Sequence, residues 1–81
     1  MKIEMNPPCD LSFVGFEYAV ELAEKHTNNK DIFLYIHEFD KEVAMELSEC
    51  KKIKEVKIDP FLEPDEWRIE VGNITIHSDG P

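Results

Sequence analysis

Hydrophobic positions recur at helical spacing over residues 16–26. Ala19, Leu22, Ala23 and His26 fall on one face of that stretch, and Glu17, Glu21 and Glu24 on the opposite one. The pattern predicts an amphipathic helix, with Gly15 and Ser12 before it, Asp10 as a candidate cap a turn earlier, and Asn28 and Asn29 at its exit. From Ile32 to His37 the spacing changes to alternation. Ile32, Leu34 and Ile36 point one way, Phe33 and Tyr35 the other, and apolar residues on both faces predict a central strand. Asp40 then caps a second helix running to about Lys51. Val43, Ala44, Leu47 and Cys50 form its apolar face, and Glu42, Glu46 and Glu49 its acidic face. Lys51, Lys52 and Lys54 follow at its carboxyl end, where cations suit the helix dipole.

Val56 to Asp59 reads as a second strand, and Pro60 and Pro64 impose an irregular loop after it. Two further strands, Glu66 to Val71 and Ile74 to His77, flank the turn pair Gly72-Asn73. A two-residue turn sets Val71 opposite Ile74, Glu70 opposite Thr75, Ile69 opposite Ile76 and Arg68 opposite His77, so every apolar residue meets an apolar one. Residues 2–4 are a candidate short edge strand. The chain therefore reads as one α+β domain over residues 1–81, with two helices packed on a four-stranded mixed sheet. The order of elements is α-β-α-β-β-β, and the last two strands form a hairpin. Residues 17–24 (EYAVELAE) and 42–49 (EVAMELSE) look alike, which two amphipathic helices facing one sheet explain without duplication.

Topology gives the polar residues their interest. If the first two strands share a sheet across the intervening helix, they run parallel with a right-handed crossover. Glu38, Asp40, Asp59, Glu63, Asp65, Glu66 and Asp79 then fall along the carboxyl edge of the parallel strands, joined by Cys9 and Asp10. Open α/β sheets place ligand sites at that edge. Lys30, Lys51, Lys52 and Lys54 fall at the other end, which would polarise the molecule.

Composition sharpens this picture. Eighteen acidic residues outnumber nine basic ones, for a net charge of −9. That balance repels nucleic acid and anionic membrane surfaces and favours cations or a basic protein surface as partners. A hydrophobic fraction of 42% is enough for a folded core. No apolar run is long enough to span a bilayer, and Met1 to Cys9 lack a signal-peptide stretch, so the expected location is cytoplasmic. Cys9 and Cys50 are then reduced thiols with neither a C-x-x-C nor a zinc-ligand spacing.

Hard cations take carboxylate oxygens. The candidate metal ligands are Glu38, Asp40, Asp59, Glu63 and Asp65, and calcium is the expected ion. The run at 59–66 is not an EF-hand loop, because it lacks the alternating ligands, the central glycine and the terminal glutamate. His37 and His77 are candidate transition-metal ligands at the same edge. Phe61 and Leu62 lie between acids in a proline-bounded loop and are candidate anchors for a docked partner. Cys9 near a helix start is a candidate thiol nucleophile, opposed by the neighbouring Asp10, which favours the protonated thiol. Cys50 and Trp67 are expected in the core, and His26 at the boundary of the first helix. No phosphate loop, nucleophile elbow or nucleotide fingerprint is present, and no catalytic motif proposes an enzyme.

The MNPPCD start, the two helix–strand units and the IDPFLEPDEWRIEVGNITIHSDGP ending resemble, in layout and length, a family of small uncharacterised α/β proteins from methanogenic archaea. The resemblance implies two helices on a four-stranded sheet, a link to methanogenesis and calcium binding at an acidic pocket. It brings no catalytic residues. Two further readings stand beside calcium binding: a metal-independent interaction module that docks a basic partner, and a thiol enzyme using Cys9. The sequence leaves oligomeric state open.

Overall fold

A computed structural model describes residues 1–5, 10–50 and 53–78. The elements in chain order are strand β1 (Lys2–Glu4), helix α1 (Phe13–Glu24), strand β2 (Ile32–Ile36), a 3-10 turn (Glu38–Asp40), helix α2 (Lys41–Cys50), and strands β3 (Ile53–Ile58), β4 (Trp67–Val71) and β5 (Ile74–His77). The fold is α+β, as the hydrophobic pattern predicts, but the mixed sheet has five strands rather than four, in the order β1-β5-β4-β2-β3. The added strand is β1. It runs parallel to β5 with Ile3 opposite Ile76, and the Thr75 N–H donates to the Met1 carbonyl at 2.7 Å.

The remaining pairings follow the predicted logic. β2 and β3 are parallel, and β4 is antiparallel to both β2 and β5. The hairpin register is Val71↔Ile74, Glu70↔Thr75, Ile69↔Ile76 and Arg68↔His77, as the pairing of apolar residues requires. Gly72 carries a φ of +62°, a left-handed value that L-residues rarely adopt. A Cβ there would stand 3.3 Å from Asn29 Cβ, so the turn needs glycine for space as well as for conformation. Ser78 prolongs the hairpin: its N–H donates to the Trp67 carbonyl at 3.1 Å, and the Trp67 N–H donates to Ser78 Oγ at 3.2 Å.

Helix α1 starts three residues earlier than the periodicity suggests. Ser12 is its cap, in extended conformation, with Oγ accepting from the Gly15 N–H at 3.1 Å. The helix buries Gly15, Phe16, Ala19 and Ala23 against the sheet. Leu22 is half-buried, and His26 is exposed rather than at a core boundary, because it lies past the helix end. Helix α2 buries only Ala44 and Leu47. Cys50 is exposed, against the expectation of a core position. At 100° per residue it lies about a quarter-turn off the line through Ala44 and Leu47. Val43, seven residues before Cys50, lies on the same flank and is 37% exposed.

Both helices pack on the same face of the sheet. One core joins Met5, Leu11 and the buried helix residues to Leu34, Ile36, Trp67, Ile69 and Ile76. Burying a side chain of that size is worth about 1.5–3 kcal/mol. Phe16 and Trp67 meet at its centre with ring centroids 6.3 Å apart. Among the described residues, no helix lies on the opposite face of the sheet. Phe33 and Tyr35 lie half-buried on it, with Arg68 over Tyr35 at 4.1 Å and Lys57 over Phe33 at 5.4 Å. The two-sided apolar pattern of β2 thus marks an interior strand with one face on the helices and one under long cationic side chains. Strand β3 lies beside β2 at the edge of the sheet.

Candidate acidic site

Parallel β2 and β3 deliver their following loops to the same edge. The loop after β2 coils at once into the Glu38–Asp40 turn, because His37 Nδ1 accepts from the Phe39 N–H at 3.1 Å. His37 therefore acts as a cap for the turn, and its ring lies edge-on to Phe39 at 4.7 Å. The loop after β3 is fixed by two carboxylates. Asp59 Oδ1 accepts from the Phe61 N–H at 2.9 Å, and Glu66 Oε1 accepts from the Glu63 N–H at 2.7 Å. One bond ties the two loops together: the Asp65 N–H donates to Asp40 Oδ2 at 2.9 Å. Asp65 takes a φ of 73°, a left-handed value that Asp tolerates better than most residues.

Of the five expected metal ligands, Glu38, Glu63 and Asp65 are exposed and Asp40 is half-buried. Asp59 differs in kind. Its Oδ2 accepts from Arg68 Nη1 at 2.5 Å, and Arg68 Nε also donates to Glu70 at 3.2 Å. The hydrogen bond from Arg68, with that from the Phe61 N–H, holds the Asp59 carboxyl below the usual carboxylate range. Burial acts to lower the Arg68 pKa, but its bonds to Asp59 and Glu70 outweigh that and raise it. Asp59 is thus a neutralised structural carboxylate rather than an open ligand. Arg68 is the residue that motif reading missed. The signal was present in the alternation of β4, which puts Arg68 opposite Tyr35 and away from the buried Trp67.

Among the described residues, no group of three or more His, Cys, Asp or Glu side chains is arranged to hold a metal ion. The carboxylates of Glu38, Asp40, Glu63 and Asp65 are accessible oxygen donors on tied loops, and their chemistry fits a hard cation. His77 belongs elsewhere: it lies half-buried on the face of β5 away from the helices, in register with Arg68 and Glu4. Cys9, Asp79, Lys51 and Lys52 lie outside the described residues. Asp10 is exposed. At the other end, Lys54 and Lys30 are engaged by Asp31 at 3.5 Å and Glu24 at 3.6 Å.

Aromatic side chains interrupt the acids. Phe61, an expected anchor, is 93% exposed, and Phe39, which sequence reading passed over, is 77% exposed. Leu62 is half-buried. Among the described residues no helix is long and apolar enough to cross a membrane. No protein-family model matches the chain, and no curated protein or solved structure is similar enough to it to be compared.

Proposed function

We propose that the acidic edge receives a divalent cation, calcium, through Glu38, Asp40, Glu63 and Asp65. The observation that carries this reading is the bond from the Asp65 N–H to Asp40, which ties two acid-bearing loops at one edge. The only guanidinium at that edge is already engaged by Asp59 and Glu70, so it is not free to pair with the other acids. Asp59 is not among the ligands, because a cation there would have to displace Arg68. These carboxylates are not already grouped around one point, so binding has to order their side chains, and that cost sets a modest affinity. Calcium suits such a site better than magnesium, since it accepts irregular sets of six to eight oxygens and gives up water readily.

The test is a calcium and magnesium titration followed by backbone NMR. Saturable shifts confined to residues 38–40 and 59–66, with a calcium midpoint below a millimolar, support the reading. Diffuse shifts that never saturate sink it. A second reading rests on Phe39 and Phe61: two exposed rings set among acids suit a basic partner with an apolar contact of its own. It requires no metal, and chelator leaves it intact.

A further inference from the structure

The strand register lays out the uncovered face of the sheet as two rows. Toward the carboxyl edge the row reads Glu4, His77, Arg68, Tyr35, Lys57 across β1-β5-β4-β2-β3. The row below it reads Lys2, Thr75, Glu70, Phe33, Glu55. Each strand contributes one residue to each row, and the two have complementary character. Lys2 stands with Glu4, Glu70 with Arg68, Glu55 with Lys57, Phe33 with Tyr35, and Thr75 with His77. A two-fold axis parallel to the rows and midway between them exchanges one row for the other. It therefore sets Arg68 against Glu70, Lys57 against Glu55, Lys2 against Glu4, and Tyr35 against Phe33 of a second copy.

We propose that this face is the self-association surface of the protein, and that its occupant is a second copy of the same chain related by that axis. Charge supports the choice. Within the two rows Lys2, Lys57 and Arg68 balance Glu4, Glu55 and Glu70, and Asp59 on Arg68 and Asp31 at the hollow add two further acids, so most of the net charge of −9 lies off this face. It is a nearly neutral patch on a molecule that repels its own copies elsewhere. Two half-buried rings on β2, lying under Arg68 and Lys57, supply apolar surface beneath those cations, and the ion pairs around them supply the polar part of an interface. A hollow of about 230 Å³, lined by Asp31, Phe33, Tyr35, Lys57, Glu70 and Gly72 among others, overlaps both of the rows that the axis exchanges. Sheets packed this way lie about 10 Å apart with their strands nearly aligned.

Growth through the sheet edges is blocked by comparison. β1 has only three residues, and β3 carries a register shift beside Lys54, both devices that discourage strand addition. Face-to-face pairing is the route left open, and it closes after two copies. This surface is separate from the acidic edge, and its test is blind to calcium.

Sedimentation velocity of the full chain over a concentration series, with chelator present, reads the dimer directly. Lys57→Glu sets Glu against Glu55 across the axis and should raise the dimer dissociation constant tenfold or more. The double variant Glu55→Lys with Lys57→Glu restores the complement and should return the constant to within about threefold of the original. A mixed sample of labelled and unlabelled wild-type chains, read by isotope-filtered NMR, should show contacts between the Phe33 ring of one copy and the Tyr35 ring of the other. A chain that stays monomeric to millimolar concentration overturns the proposal. So does a dimer that Lys57→Glu leaves unchanged, or one in which the ring contact is missing.

Discussion

Arg68 reaches back from β4 to hold Asp59, the residue that follows β3, at 2.5 Å. The two strands are not neighbours, since β2 lies between them. The ion pair therefore bridges over Tyr35, whose ring lies under the guanidinium at 4.1 Å. It joins the acidic loop to the sheet and removes Asp59 from the set of open carboxylates.

Stability should fall on acidification through this pair. The folded-state pKa of Asp59 is lowered below its ordinary value. Its contribution is therefore fully present above the unfolded carboxylate pKa, about 3.9, and is lost as pH drops through the folded value. Asp59→Asn should have a lower melting temperature than wild type at pH 7. The gap should shrink progressively below about pH 4. Thermal unfolding of both proteins from pH 7 to pH 2 checks this, and a gap that does not depend on pH would contradict it.

At Gly72 both conformation and space oppose a side chain. Gly72→Ala must adopt a φ of +62° and bring a Cβ to 3.3 Å from Asn29. The left-handed backbone alone costs an L-residue about 1–2 kcal/mol. Urea unfolding should show a loss of at least about 1 kcal/mol with an unchanged slope. Loss of the helix cap by Ser12→Ala should cost a similar ~1 kcal/mol, since the Gly15 N–H loses its acceptor.

Much of the fold is legible in local pattern. The hairpin register follows from pairing Ile69 with Ile76 around Gly72-Asn73, and the parallel direction of β2 and β3 follows from the helix between them. The fifth strand is faint because Lys2–Glu4 offers one apolar residue, Ile3, and its partner Ile76 is far away in sequence. Strand order is not local either. The β1–α1–β2 crossover passes over β5 and β4, whereas β2–α2–β3 joins neighbours. The similar helices thus sit in unlike units. At the edge, residue type identifies the acids, but only the insertion of β4 beside β2 shows which of them meets Arg68.

The core should be intolerant of truncation. Leu34 is fully buried at the middle of β2, opposite Ile69 and Val56. Leu34→Ala should cost about 2–5 kcal/mol, which approaches the whole stability of a domain this small. Circular dichroism melts should show a large drop in transition temperature or no folded baseline at 37 °C.

Charge removal at the acidic edge separates ligands from bystanders. Asp40→Asn keeps an oxygen to accept the Asp65 N–H, so the tie between the loops survives while the charge is lost. Under the calcium reading it should weaken binding about tenfold, and Asp65→Asn should do the same, because ligand charge sets affinity in such sites. Asp59→Asn should act differently. It frees Arg68 at the same edge, so any weakening is a through-space effect that added salt screens. Calorimetric calcium titrations at two ionic strengths distinguish these outcomes. If all three variants respond alike and equally to salt, calcium is condensing on a charged edge rather than being ligated by Asp40 and Asp65.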